Sequence, residues 1–145
     1  MTRIGNFLKY NKHKKLTLAV YFLTAFYRAQ ILMVSSKKLE KKWGERGAES
    51  AETDTRDNYW QAYRISKEIT RVADKTPWES KCLVQALTAQ YLLRRKGIKS
   101  TLYLGVGKEE ETQKMVAHAW IRVGEHYVTG GDGSKIYAVV AKFLR

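Results

Sequence analysis

Residues 76–97, TPWESKCLVQALTAQYLLRRKG, predict the best-defined helix of the chain, and the segment after them decides the fold. Thr76, Pro77 and Glu79 form a helix-start pattern, with a capping hydroxyl, proline at the first helical position and a glutamate three residues after the cap. Ser80 is a competing N-cap, and the sequence does not choose between the two. The basic residues before Gly97, and the glycine itself, are typical of a helix C-terminus.

The apolar period changes from helical to alternating after this helix. Four apolar residues can share one face of a first strand: Ile98, Leu102, Leu104 and Val106. Further strands are predicted at 114–123, 126–129 and 136–143, with a tight hairpin turn at 124–125 and a glycine-rich loop at 130–133. Helices followed by an antiparallel sheet predict an α+β fold.

Two helices are predicted before this part of the chain. Residues 16–43 indicate one long helix, and 57–74 a second with an apolar stripe. The stretch 44–56 contains no large apolar residue and is interpreted as a linker. We therefore divide the chain into a basic N-terminal helical extension at residues 1–50 and a core domain at residues 57–145.

The charge of the chain is strongly basic and uneven. Lysine and arginine number 27 against 14 acidic residues, a net charge of +13. Residues 1–50 hold 11 basic and 3 acidic side chains, so this third of the chain carries 11 − 3 = +8. An acidic partner is favoured, but zinc-finger spacing, aromatic RNA-binding signatures and a helix-turn-helix pattern are missing, so nucleic acid is not expected as that partner.

Cysteine content and hydropathy bear on where the protein works. Cys82 is the only cysteine, which excludes an intrachain disulfide and favours a reducing compartment, the cytoplasm. The apolar stretch 16–34 is flanked by lysines, yet Arg28 and Gln30 interrupt it. We interpret it as a helix buried against the domain or a partner, with peripheral membrane attachment as the alternative.

Two residues are the candidates for chemistry. Cys82 lies near the predicted helix start, where the helix dipole and free backbone N–H groups favour the nucleophilic thiolate. His118 lies in an apolar strand, where an imidazole needs a partner. A helix-start cysteine and a histidine on the following sheet can form a nucleophile and base pair. The alternative is a small core thiol beside a core histidine.

Two sequence blocks resemble a known family. The segment Trp78-Glu-Ser-Lys-Cys82-Leu-Val-Gln-Ala-Leu87, followed by Ala117-His118-Ala-Trp120, resembles the transglutaminase-like core of lasso-peptide leader peptidases, in particular the stand-alone ones. The resemblance covers about residues 57–143. It implies a papain/transglutaminase-like fold and a cysteine peptidase that removes the leader of a ribosomally made precursor, with Cys82 as nucleophile and His118 as base.

The third catalytic residue departs from the family pattern. Many relatives have an aspartate about a dozen residues after the histidine, which here corresponds to Gly130. Asp132 is our candidate to orient His118, provided that the strand continues through Gly130 and Gly131. A loop aspartate that bonds its own backbone is the alternative.

The remaining expectations concern substrate and partners. Trp78 and Trp120 are candidate walls of a substrate cleft, or else core residues, and Gln85 is a candidate site residue one helical turn after Cys82. The resemblance implies no cofactor and no metal, a separate leader-recognition protein, and an ATP-dependent lasso cyclase that uses the product. The rival functions are a transamidase or other thiol hydrolase on the same core, and a non-catalytic basic interaction module.

Overall fold

The computed structural model describes residues 12–75 and 81–145. In this part of the chain the helices are α1 (Lys12–Met33), α2 (Ser36–Glu40), α3 (Arg56–Ala73) and α4 (Cys82–Arg95). The strands are β1 (Glu45–Arg46), β2 (Thr101–Lys108), β3 (Met115–Val123), β4 (His126–Thr129) and β5 (Ala138–Leu144), with a short 3-10 helix at Gly133–Lys135. Helices followed by an antiparallel sheet confirm the predicted α+β class.

The predicted helix over 16–43 is wrong in its continuity. It breaks after Met33, and Ser35 adopts an extended conformation with φ −66° and ψ 147° at the N-cap of α2. Serine is favoured at helix caps, so the Ser-Ser pair is compatible with a restart, although the Ser35 side chain makes no capping hydrogen bond. By contrast, α3 matches the predicted 57–74 closely and is capped by Thr55, whose hydroxyl accepts from the Asn58 N–H at 3.1 Å.

The core helix begins at Cys82 and has Lys81 at its N-cap, with no side-chain capping bond. The two caps proposed from the sequence, Thr76 and Ser80, lie outside the described residues. The predicted glycine stop is confirmed: Gly97 has φ +73°, and the Ile98 N–H donates to the Leu93 carbonyl at 2.9 Å. This is the left-handed C-terminal conformation that glycine adopts without strain.

The sheet has the order β1-β5-β2-β3-β4, and every neighbouring pair is antiparallel. A turn at Gly124, with φ +53°, joins β3 to β4, as predicted. Side chains alternate between the two faces. Leu102 and its register partner Ile121 belong to the main core cluster, whereas Tyr103 and its partner Trp120 point to the other face.

The predicted linker 44–56 is bound to the sheet. Glu45 and Arg46 form β1 and pair with the end of β5, an element that the polar sequence did not reveal. Arg122 donates to the carbonyls of Ser50 and Ala51, each at 3.1 Å. A charged side chain that is buried needs such partners, and here the linker backbone supplies them.

One apolar core cluster includes residues of α1 together with the other helices and the sheet. Val20 and Leu23 of α1 are buried in it. A polar contact reinforces the attachment, because the buried Glu68 of α3 accepts from Thr17 of α1 and from Arg71, each at 2.5 Å. The N-terminal extension therefore packs on the core domain, while its status as a separate unit stays a prediction.

Candidate active site

Cys82 is the first residue of α4 and is partly buried against the apolar core. The first N–H groups of a helix have no intrahelical acceptor, and they form the positive end of the helix dipole. An oxyanion that develops near this point is stabilised by both effects. The described start of α4 places Cys82 in the first turn, where the dipole acts most strongly. Of the two caps that the sequence left open, capping at Ser80 predicts this position, whereas capping at Thr76 predicts the second turn.

His118 lies in the middle of β3 and is partly exposed. Its ring stacks on Tyr137 at a centroid distance of 4.8 Å and on Trp120 at 5.8 Å. Its Nε2 atom is 3.1 Å from the Gly130 carbonyl oxygen. A carbonyl can only accept, so in this bond Nε2 carries the proton, and in the neutral ring Nδ1 is then the basic nitrogen.

Gly130 is held in a conformation that suits glycine. Its φ is +76°, and an added Cβ would lie 2.7 Å from the Ala119 carbonyl oxygen and 2.8 Å from Trp120 Cβ. The backbone of residue 130 thus packs directly against β3, and its carbonyl bonds the ring of His118. Many members of the family that the sequence resembles have an aspartate at about this position, where this chain has glycine. A backbone carbonyl supplies the acceptor instead.

The continuous strand that would align Asp132 with His118 is not formed. Gly130 and Gly131 both have positive φ, so the chain turns instead of continuing as a strand. The Asp132 carboxylate accepts from the Ser134 hydroxyl at 2.6 Å and from the Ser134 N–H at 3.2 Å. The hydrogen bonds from Ser134 hold the pKa of the Asp132 carboxyl below its usual value. In the described chain no hydrogen bond joins Asp132 to His118; its catalytic role stays a prediction.

The other candidate residues have mixed surroundings. Trp120 is only 1% exposed and stacks on Tyr103 at 5.6 Å, so its ring lies beneath His118 and is not open to solvent. Gln85 is partly buried one turn after Cys82, and its N–H donates to the Lys81 carbonyl at 3.0 Å. Trp78 lies outside the described residues. Tyr137, which the sequence did not single out, is the aromatic residue closest to the ring of His118 among the stacking pairs.

The two catalytic candidates belong to elements in direct contact, because α4 packs on β3. Between the described atoms of Cys82 and His118 there is no hydrogen bond. Ala119 belongs to the core cluster that faces the helices, so strand alternation directs the His118 side chain to the other face. The pairing of thiol and imidazole therefore stays a prediction.

One cavity of the described surface lies away from both catalytic candidates. It has a volume of about 530 Å³ and lies at the other end of α4, where Leu87, Tyr91 and Arg94 line it. Within residues 12–75 and 81–145, no three His, Cys, Asp or Glu side chains come together as a metal site requires.

A helix that starts with the cysteine and precedes an antiparallel sheet bearing the histidine defines the general class of thiol enzymes with a papain-like or transglutaminase-like core. The family comparison agrees: residues 17–142 match the model of the transglutaminase-like superfamily, and the chain belongs to this superfamily. The match includes Cys82, His118 and most of α1. No curated protein and no solved structure matches the chain. Membership supports thiol hydrolase chemistry in general.

Proposed function

We propose that this protein is a cysteine peptidase that removes the leader from a lasso-peptide precursor. The observation that carries the proposal is the position of Cys82 at the first residue of α4, next to the strand of His118, in a member of the transglutaminase-like superfamily. The sequence blocks around Cys82 and His118 resemble those of lasso leader peptidases and supply the substrate class.

In the proposed first step, the Cys82 sulfur attacks the carbonyl carbon of the leader–core peptide bond. His118 accepts the thiol proton on Nδ1, the nitrogen that the bond from Nε2 to Gly130 leaves basic. This step requires a rearrangement that brings the Cys82 sulfur to Nδ1, because the His118 side chain stacks on Trp120 and Tyr137 at the sheet face opposite α4. Free N–H groups at the start of α4 stabilise the negative charge on the carbonyl oxygen. The C–N bond then breaks, and the imidazolium returns the proton to the departing core amine.

The second step releases the leader. His118 accepts a proton from water, whose oxygen attacks the leader–Cys82 thioester, and the thiolate leaves and is reprotonated. The net reaction consumes one water and yields a leader carboxylate and a core amine. That amine is the group that an ATP-dependent lasso cyclase would join to an acidic side chain, so the cyclase is the proposed consumer of the product.

A separate protein is proposed to deliver the leader. An extended peptide is commonly recognised by adding a strand to a sheet edge. Before α3, the described chain contains only the two-residue strand β1, which already pairs with β5. This leaves little sheet edge in the N-terminal segment for a leader, which favours a leader-binding partner. We also propose that the protein acts in the cytoplasm.

The test is mass spectrometry of a lasso precursor after incubation with the protein and a leader-binding protein. We expect one cut at the leader–core junction, and its loss in Cys82→Ala. His118→Ala should lower the rate by about 10²–10⁴-fold, as for loss of a general base. His126→Ala is the matched control, because His126 is a partly buried histidine on the neighbouring strand.

Product mass distinguishes the rival chemistries. A leader joined to an added amine would establish a transamidase, and cleavage that survives Cys82→Ala would exclude a thiol mechanism. Asp132→Asn should retain most activity, because the asparagine oxygen can still accept both bonds from Ser134. A loss as large as that of Cys82→Ala would instead assign Asp132 a direct role.

A further inference from the structure

Helix α1 has two apolar faces. One face, which includes Val20, Leu23 and Thr24, is buried against the rest of the protein. The opposite face carries Leu18, Phe22, Phe26 and Met33, which are 52%, 69%, 47% and 84% exposed. We call these four residues the outer stripe. Their spacing of four, four and seven places them on one side of a helix.

The outer stripe is unusual for a protein surface because it groups four exposed large apolar side chains on one side of a single helix. Single exposed apolar residues are common, whereas a contiguous patch marks an interaction site. Within the stripe the rings of Phe22 and Phe26 stack at a centroid distance of 6.4 Å. No other described helix exposes four large apolar side chains in this way.

A cationic cavity adjoins the stripe through Phe26. This is the cavity of about 530 Å³, and four cations line it: Lys41, Lys42, Arg94 and Arg145. Among the described residues that line it there is no aspartate or glutamate. Burial, together with the neighbouring charge of Arg94, holds the pKa of the Arg145 guanidinium below its usual value. Cations gathered without an acidic side chain between them favour an anionic ligand.

We propose that the outer stripe and the cationic cavity together form a peripheral binding site for a membrane that carries anionic phospholipids. The stripe supplies the side chains that enter the acyl boundary, and the cavity supplies the charge that attracts acidic headgroups. The sequence supports this pairing, because residues 1–39 contain no aspartate or glutamate. The proposal does not depend on peptide cleavage.

The structure favours a helix that lies along the membrane surface over one that crosses it. By length and composition alone, Lys14–Met33 is apolar enough to span a membrane. A crossing helix would have to leave the core, exposing Val20 and Leu23, and would break the contact of Thr17 with the buried Glu68. Leaving Glu68 with one partner fewer is costly, since buried charges require full pairing.

The first experiment is cosedimentation with vesicles of phosphatidylglycerol and phosphatidylcholine, compared with phosphatidylcholine alone. Wild-type protein should sediment with the anionic vesicles. The double variant Phe22→Ser, Phe26→Ser should bind at least about tenfold more weakly, because it loses two apolar side chains from the interface. Trp60→Ser with Tyr63→Ser is the matched control, since it removes two exposed aromatic residues of α3 and should bind as the wild type does.

The second experiment tests the cavity. Lys41→Gln with Arg94→Gln should weaken binding to anionic vesicles by about fivefold per cation, and should not change binding to neutral ones. Lys108→Gln with Lys114→Gln removes the same charge from two exposed lysines, one at the end of β2 and one just before β3, and is the control. If both double variants lose the same affinity for anionic vesicles, the attraction depends on net charge only, and the proposed role of the cavity is overturned.

Other outcomes overturn the whole proposal. Absence of wild-type sedimentation with anionic vesicles does so, as does equal binding by Phe22→Ser, Phe26→Ser. A dimer in analytical ultracentrifugation that this variant abolishes, without any lipid binding, would assign the stripe to a second copy of the chain. Cys82→Ala should bind vesicles as the wild type does, so a failed peptidase assay and a failed membrane assay are distinguishable.

Discussion

Replacing Gly130 by alanine tests whether the backbone of this residue packs on β3 and bonds His118. An alanine at φ +76° costs about 1–2 kcal/mol for the left-handed conformation alone. Its Cβ would also lie 2.7 Å from the Ala119 carbonyl oxygen and 2.8 Å from Trp120 Cβ. Relieving such overpacking typically costs a further ~1–3 kcal/mol. We therefore expect Gly130→Ala to lower the free energy of unfolding by about 2–5 kcal/mol.

Gly131→Ala is the matched control. Gly131 has φ +65°, but an added Cβ there would have nothing within 4 Å. Gly131→Ala should lower the free energy of unfolding by about 1–2 kcal/mol, from backbone conformation alone. Urea denaturation gives the free energy of unfolding of both variants, and the difference between their losses measures the cost of the close contacts at residue 130. Equal losses would refute the packing of residue 130 against Ala119 and Trp120.

A second measurement on the same two variants reports which nitrogen of the His118 ring carries the proton. Long-range ¹H–¹⁵N spectra of the wild type should show Nε2 protonated and Nδ1 unprotonated in the neutral ring, since Nε2 donates to the Gly130 carbonyl. Gly130→Ala should displace that carbonyl and yield a mixture of tautomers, and Gly131→Ala should not. A wild-type ring with Nδ1 protonated would exclude the proposed direction of proton transfer.

Three further predictions concern the fold. Leu23→Ala should lower the free energy of unfolding by about 2–5 kcal/mol because the side chain is buried. Phe22→Ala, one residue away on the outer stripe, should change it by less than about 0.5 kcal/mol. Chemical denaturation compares the two variants. Thr55→Ala should cost about 1 kcal/mol by removing the N-cap of α3, while Thr55→Ser should restore most of it. The hydrogen bond and charge of Lys142 lower the pKa of the Glu49 carboxyl. The stability from this pair is therefore present above the unfolded pKa of 4.5 and is lost as the pH falls through the lower folded pKa. Glu49→Gln should flatten the acid limb of a profile of stability against pH, and an unchanged limb would contradict the pairing.

Much of the architecture was predictable because it depends on local rules. Local sequence signals predict three features without any knowledge of the fold. They are the apolar stripe of α3, the glycine at the end of α4 and the alternation in β2 and β3. The family resemblance also depended on two short blocks, and the superfamily match confirms it at that level. The break after Met33 was missed because apolar residues continue past it and a two-serine restart is a weak signal.

The site was less predictable because it depends on contacts between distant residues. The sequence alone determined which thiol and which imidazole are available, since Cys82 is the only cysteine and His118 lies in an apolar strand. Only the tertiary structure decided that a turn at Gly130 directs a carbonyl to the His118 ring, and that Asp132 bonds Ser134 instead. The same holds for α1, in which apolar residues lie on nearly every side over much of its length. Which of its faces is buried depends on where α3 and α4 pack, and periodicity within one helix cannot specify that.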